Sequence, residues 1–86
     1  MRSRLDVTLR LLRILARFLE QSPHRIRPDI ALDELGADSF DVVELQAIIE
    51  HAFGILIPYQ IPTYFTFAEL VDAVFRALPA QPAPRC

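Results

Sequence analysis

Between Arg4 and Glu20 the apolar residues recur at helical spacing. Leu5, Leu9, Leu12, Ala16 and Leu19 form a stripe, and Leu11, Ile14 and Phe18 widen it. This predicts a first helix, which Ser22 and Pro23 stop because proline disfavours the helical region for the residue before it. Residues 24–37 carry Pro28, the Leu35-Gly36 pair and a scatter of Ile26, Ile30, Leu32 and Leu35, and read as a long loop whose apolar residues tuck onto the bundle. A second helix is expected from Asp38, a good N-cap with Asp41 three residues on. Leu45, Ile49 and Phe53 make its inward stripe, Ile48 stands beside them, and Gly54 ends it. The stretch ILIPYQIPTYF at 55–65 holds two prolines and reads as loop with at most one short helical turn. Thr66-Phe67-Ala68-Glu69 matches a capping box, and Leu70, Val71, Val74, Phe75 and Leu78 supply a core face for the last helix. No repeat and no β-type alternation interrupts this order. The expectation is an all-α bundle over residues 1–78, followed by a proline-rich tail at 79–86 expected to be disordered.

With 86 residues the chain makes one small domain, and its 52% hydrophobic content separates it from disordered chains. No apolar run reaches the ~18 residues that span a bilayer, and the N-terminus lacks the order of a signal peptide, so a cytoplasmic protein without stable membrane insertion is expected. The single cysteine, Cys86, has no partner for a disulfide within the chain. Charge is strongly segregated. Residues 1–27 hold seven arginines against Asp6 and Glu20, whereas residues 28–75 hold nine acids and neither Lys nor Arg. Such an acidic region suits a basic partner and argues against nucleic acid; the plainer reading is a solvated helix surface. Arg10, Arg13 and Arg17, on one side of the first helix, are read in the same way, as a solvated face.

Ser39 stands between Asp38 and Phe40 at the start of the second helix. A serine nucleophile needs a base within reach, yet His51 lies twelve residues further along the same helix, a rise of about 18 Å. His24 sits in the loop, and no glycine-flanked nucleophile turn surrounds Ser39. No catalytic residue is therefore assigned. Asp38, Asp41 and Glu44 lack the glycine-bearing loop of a calcium site, so no metal is assigned either. The plain reading of Ser39 is a helix-start residue. The sharper one is that an N1 serine is exposed, and a phosphate esterified to it would lie at the positive end of the helix, beside free backbone N–H groups.

Leu35-Gly36-Ala37-Asp38-Ser39, then Asp41, Val43-Glu44-Leu45 and Phe53-Gly54-Ile55-Leu56-Ile57-Pro58, resembles the acyl carrier protein family. The resemblance runs from about Leu5 to Leu78 and is specific over residues 35–58. It implies a small four-helix bundle with a long first loop, and a 4′-phosphopantetheine arm on Ser39 that carries acyl groups as thioesters. It also implies that Asp38, Asp41, Glu44 and Glu50, with the apolar Phe40, Val43 and Ala47, dock on basic patches of a phosphopantetheinyl transferase and of acyl-transferring or chain-extending enzymes. Leu45, Ile49 and Ile57 are then the candidates for sheltering the acyl chain. A monomer suits such a shuttle.

Several positions depart from the family pattern. Phe40 stands where leucine is usual, the end of the second helix is less acidic, and Tyr59-Gln60-Ile61-Pro62-Thr63-Tyr64-Phe65 implies a short, distorted or missing third helix, its aromatics either core filler or a surface for a dedicated partner. The Arg-rich first helix is also unlike a general fatty-acid carrier. These departures favour a specialised fatty-acid, lipid or polyketide pathway. A peptidyl carrier of a peptide synthetase is the nearer alternative, although Ala37 stands where that group usually has glycine. The more distant alternative is a helical interaction module without an arm.

Overall fold

A computed structural model describes residues 3–79 of the chain; the tail expected to be disordered falls, after Pro79, outside the described residues. Three α-helices are present, α1 (Arg4–Phe18), α2 (Ser39–Phe53) and α3 (Phe67–Ala77), with 3-10 turns at Pro23–Arg25 and Asp33–Leu35. α1 packs against both α2 and α3. The long first loop lies between α1 and α2, and Ile26, Leu32 and Leu35 from it enter the core as expected.

Local chemistry sets the ends of the helices. The Ser3 side chain accepts from the Asp6 N–H at the start of α1. At its end Glu20 adopts a left-handed conformation with φ 53°, and the N–H of Gln21 reaches back to Ala16 O at 3.0 Å, closing a Schellman turn without the usual glycine. Gly54 does the same for α2 at φ 65°, with the Ile55 N–H on Glu50 O. Thr66 and Glu69 form the expected capping box on α3: Thr66 Oγ1 accepts from Glu69 N at 3.1 Å, and Glu69 Oε1 accepts from Thr66 N at 2.9 Å.

The face that α1 buries differs from the expected stripe. Val7, Leu11 and Leu15 are fully buried, while Leu5 is 66% exposed and Leu9 is exposed as well; Leu12, Ala16 and Leu19 pack only partly. Apolar residues occupy so much of this helix that periodicity does not select a unique inward side; α2 and α3 select it by where they pack. Two smaller corrections have the same cause. Ile48 on α2 faces outward, and Phe75 on α3 is exposed beneath the Arg4 guanidinium, which lies 6.0 Å from its ring centroid. Val42 and Gln46 complete the inner side of α2 beside Leu45, Ile49 and Phe53, and Phe67 and Ala73 join Leu70, Val71 and Val74 on α3. Each fully buried leucine or isoleucine in this core contributes about 1.5–3 kcal/mol relative to an exposed one.

Arg10 is not merely part of a solvated face. Its guanidinium donates to Ala52 O at 2.9 Å and lies 4.4 Å from the Phe53 ring centroid, holding the C-terminal turn of α2 against α1.

Residues 55–65, expected to be loop with at most one short helical turn and a short, distorted or missing third helix, run as an irregular strap without a helix. Pro58 and Pro62 remove backbone donors, and side chains of α2 take over the backbone bonding. Gln46, buried in α2, donates to Tyr59 O at 2.8 Å and accepts from Ile61 N at 2.8 Å and from Gln60 Nε2 at 3.0 Å. Glu50 Oε2 accepts from Ile57 N at 2.9 Å. Between these polar ties Ile55, Ile57 and Ile61 plug into the core. The far end of the strap pairs with the first loop through Leu32 N on Phe65 O, Asp33 N on Thr63 O and a bridge between Ala31 and Thr66.

Candidate functional site

The stretch from Leu35 to Asp41 places each of its residues by a separate local rule. Leu35 and Ala37 are buried and anchor the segment, while the Gln21 side chain bonds Leu35 O at 3.2 Å from the end of α1. Gly36, between them, takes φ 94°, the left-handed turn that a side chain disfavours. Asp38 is the N-cap of α2 and closes a capping box with Asp41: Asp41 N donates to Asp38 Oδ1 at 2.8 Å and Asp38 N to Asp41 Oδ2 at 3.1 Å. The segment is thereby fixed on both sides of Ser39.

Ser39 is the first residue of α2, exposed, with its hydroxyl outside every hydrogen bond of the described residues. The other two serines of the chain are occupied: the Ser3 side chain caps α1, and that of Ser22 accepts from His24 N at the 3-10 turn. The capping box uses the N–H of Asp41 and leaves those of Ser39 and Phe40 outside it. The site fits a covalent phosphodiester on this ground: an exposed alcohol on a rigid first turn, with backbone donors and the positive end of the helix beside it.

The predicted recognition residues divide into two sets. Phe40, 83% exposed, together with Val43, Glu44 and Ala47, shares one outer side of α2, and the exposed Ile48 and His51 continue it. Asp38 and Asp41 border that surface with one carboxylate oxygen each engaged in the cap. Glu50, in contrast, is half-buried and turned onto the strap. The acyl-shelter candidates Leu45, Ile49 and Ile57 are all buried in the core, Leu45 and Ile49 from α2 and Ile57 from the strap. His24 lies in the Pro23–Arg25 turn and His51 in the last turn of α2, both exposed. Among the described residues no group of three or more His, Cys, Asp or Glu is placed to hold a metal ion, and no helix is long and apolar enough to cross a membrane.

Sequence reasoning passed over Gln46, and a signal for it existed. Position 46 falls on the inner arc defined by Val42, Leu45, Ile49 and Phe53, and a polar residue there must find partners once buried.

An exposed serine with no hydrogen-bond partner among the described residues, at the capped start of a helix, suits the covalent attachment of a group. The comparison with protein families agrees. Residues 9–74 match the family model for the phosphopantetheine attachment site, so the chain belongs to this carrier family. Members bear 4′-phosphopantetheine on a serine and receive it from a phosphopantetheinyl transferase. No solved structure matches the chain.

Proposed function

We propose that the protein is an acyl carrier whose arm is attached through Ser39, serving a specialised fatty-acid, lipid or polyketide pathway. The observation that carries this reading is the exposed, unbonded Ser39 hydroxyl on the capped first turn of α2, inside the family match and unlike the occupied Ser3 and Ser22. In the loading step the transferase joins Ser39 Oγ to the pantetheine phosphorus of coenzyme A. The hydroxyl proton leaves and adenosine 3′,5′-bisphosphate departs. The thiol at the end of the arm then exchanges acyl groups as thioesters, chemistry the partner enzymes perform. This chain's own residues orient the attachment point and present it.

Phe40, Val43, Ala47 and Glu44, bordered by Asp38 and Asp41, form the docking surface in this reading, an apolar ridge with acids around it that suits basic patches on the partners. Glu50 contributes at its edge and chiefly holds the strap. Leu45, Ile49 and Ile57 would give way to shelter an acyl chain. Support for a dedicated pathway comes from the exposed phenyl ring at position 40 and the aromatic strap, which enlarge and reshape the surface that partners meet. In this account the protein acts as a monomer in the cytoplasm.

The test is the intact mass after incubation with coenzyme A and a broad-specificity transferase. One phosphopantetheine should be gained by the natural chain and none by Ser39→Ala. Gain by both variants would move the attachment site elsewhere. The loaded form should then accept an acyl group from acyl-transferring enzymes; loading by an amino-acid-adenylating enzyme instead would identify a peptidyl carrier.

A further inference from the structure

α1 carries two apolar seams, and the core takes one of them. Val7, Leu11 and Leu15 are buried where α1 packs on α2 and α3. Leu5, Leu9, Leu12, Ala16 and Leu19 form the other seam, at alternating steps of four and three residues, the spacing with which one helix seats along another. At roughly 100° per residue they cover an arc of about 80° beside the buried side. This seam opens to solvent toward its N-terminal end: Leu5 and Leu9 are exposed, while Leu12, Ala16 and Leu19 are half-buried. Its flank is charged. Asp6 and Arg13 lie three and four residues from Leu9, and Arg17 follows one turn after Arg13, so the flank is positive over the second half of α1. Arg4 and Arg10 are engaged within the fold, by Asp72 and by Ala52 O. The guanidiniums of Arg13 and Arg17 are exposed and outside every hydrogen bond and ion pair of the described residues.

We propose that this outer side of α1 is a docking site for an acidic amphipathic helix of a partner protein, with apolar residues seated on Leu5, Leu9 and Leu12 and carboxylates facing Arg13 and Arg17. The seam selects the shape of the occupant, because a strict alternation of four and three residues matches the groove of a second helix and nothing in the fold fills it. The flank selects its sign. Two like charges four residues apart repel each other, and both gain from an anion placed beside them, most of all from a carboxylate that a guanidinium can grip with two hydrogen bonds. A second copy of this chain is a poor occupant, since its α1 brings four arginines and a single aspartate to the contact. An anionic bilayer attracts the same arginines but repels the nine acids of residues 28–75, and the seam is narrower than the apolar face of a helix that lies in a membrane interface. Only two leucines are largely open, so the contact is small and suits brief binding.

The inference goes beyond the carrier reading, and its test needs neither the arm nor Ser39. Unloaded full-length protein is titrated with a three-heptad peptide that has leucine at the a and d positions and glutamate at e and g, and amide chemical shifts are followed by NMR. The same peptide with lysine for glutamate, and vesicles of anionic phospholipid, are the controls. Saturable shifts centred on Leu9, Leu12, Arg13 and Arg17 are expected, with the lysine peptide about tenfold weaker at α1 and affinity for the glutamate peptide falling as salt is added. Arg13→Gln with Arg17→Gln, and separately Leu5→Gln with Leu9→Gln, should each weaken binding several-fold. These positions are exposed, so the fold is retained, and the spread of amide shifts checks that it is. Shifts centred on α2, an equal response of α1 to the lysine peptide, unchanged affinity in both double variants, or tighter binding of α1 to vesicles than to the glutamate peptide would each overturn the site. None of these outcomes bears on whether Ser39 is modified, so the two readings fail separately.

Discussion

The first turn of α2 and the strap at 55–65 are held in opposite ways. Around Ser39 the turn itself is set locally: Gly36 turns the chain and Asp38 and Asp41 cap each other three residues apart, while Leu35 and Ala37 anchor the segment in the core and the Gln21 side chain bonds Leu35 O from the end of α1. The strap has little such local support, and one buried side chain, Gln46, replaces it by bonding to groups 13 to 15 residues away. A local device holds the turn at Ser39 while leaving its outer side bare. A long-range polar tie instead makes the strap dependent on α2, because loss of one partner strands several buried groups together.

The comparison predicts a graded set of stability effects, each measured by urea unfolding. Gln46→Leu should be the most damaging, about 2–4 kcal/mol, because Tyr59 O and Ile61 N lose their partner inside the core. Hydrogen exchange should show the Ile61 amide losing protection well before those of α1. A cost below that of the Asp38 cap would break the contrast. Gly36→Ala should cost about 1–2 kcal/mol from backbone strain alone, as a Cβ there meets no atom within 4 Å. Asp38→Ala should cost about 1 kcal/mol, the value of one N-cap, and fray the turn that carries Ser39. Ser39→Ala should change stability by less than about 0.5 kcal/mol, since Asp38 holds the cap, while removing all phosphopantetheine gain from the mass spectrum.

Features that obey short-range rules were legible before the fold. The Asp38 cap, the Thr66-Glu69 box, the stop at Gly54 and the exposed serine all depend on residues within a few positions of each other. Phe40, Val43, Glu44 and Ala47, which the family resemblance placed on a docking surface, are exposed on one outer side of α2. The inner face of α1 did not follow, because Leu5, Leu9, Leu12, Ala16 and Leu19 are as helically spaced as Val7, Leu11 and Leu15. Glu50 carries another lesson: a charge grouped with a docking surface by its sequence is engaged by an amide seven residues on, a pairing that exists only after the strap folds back.

The sequence by itself determined where the helices begin and end, which serine starts α2, and that the chain resembles a carrier. These depend on backbone preferences, capping and motif spacing, which are short in range. Tertiary structure alone decided which leucines of α1 are buried, that the proline-containing loop at 55–65 is a strap tied by Gln46 and Glu50, and that Tyr59 and Phe65 face Glu69 and Asp72 across a cavity. Those outcomes require elements distant in sequence to meet, and burial then sets the terms: polar groups that leave water need partners, and apolar residues in excess of the available core remain outside.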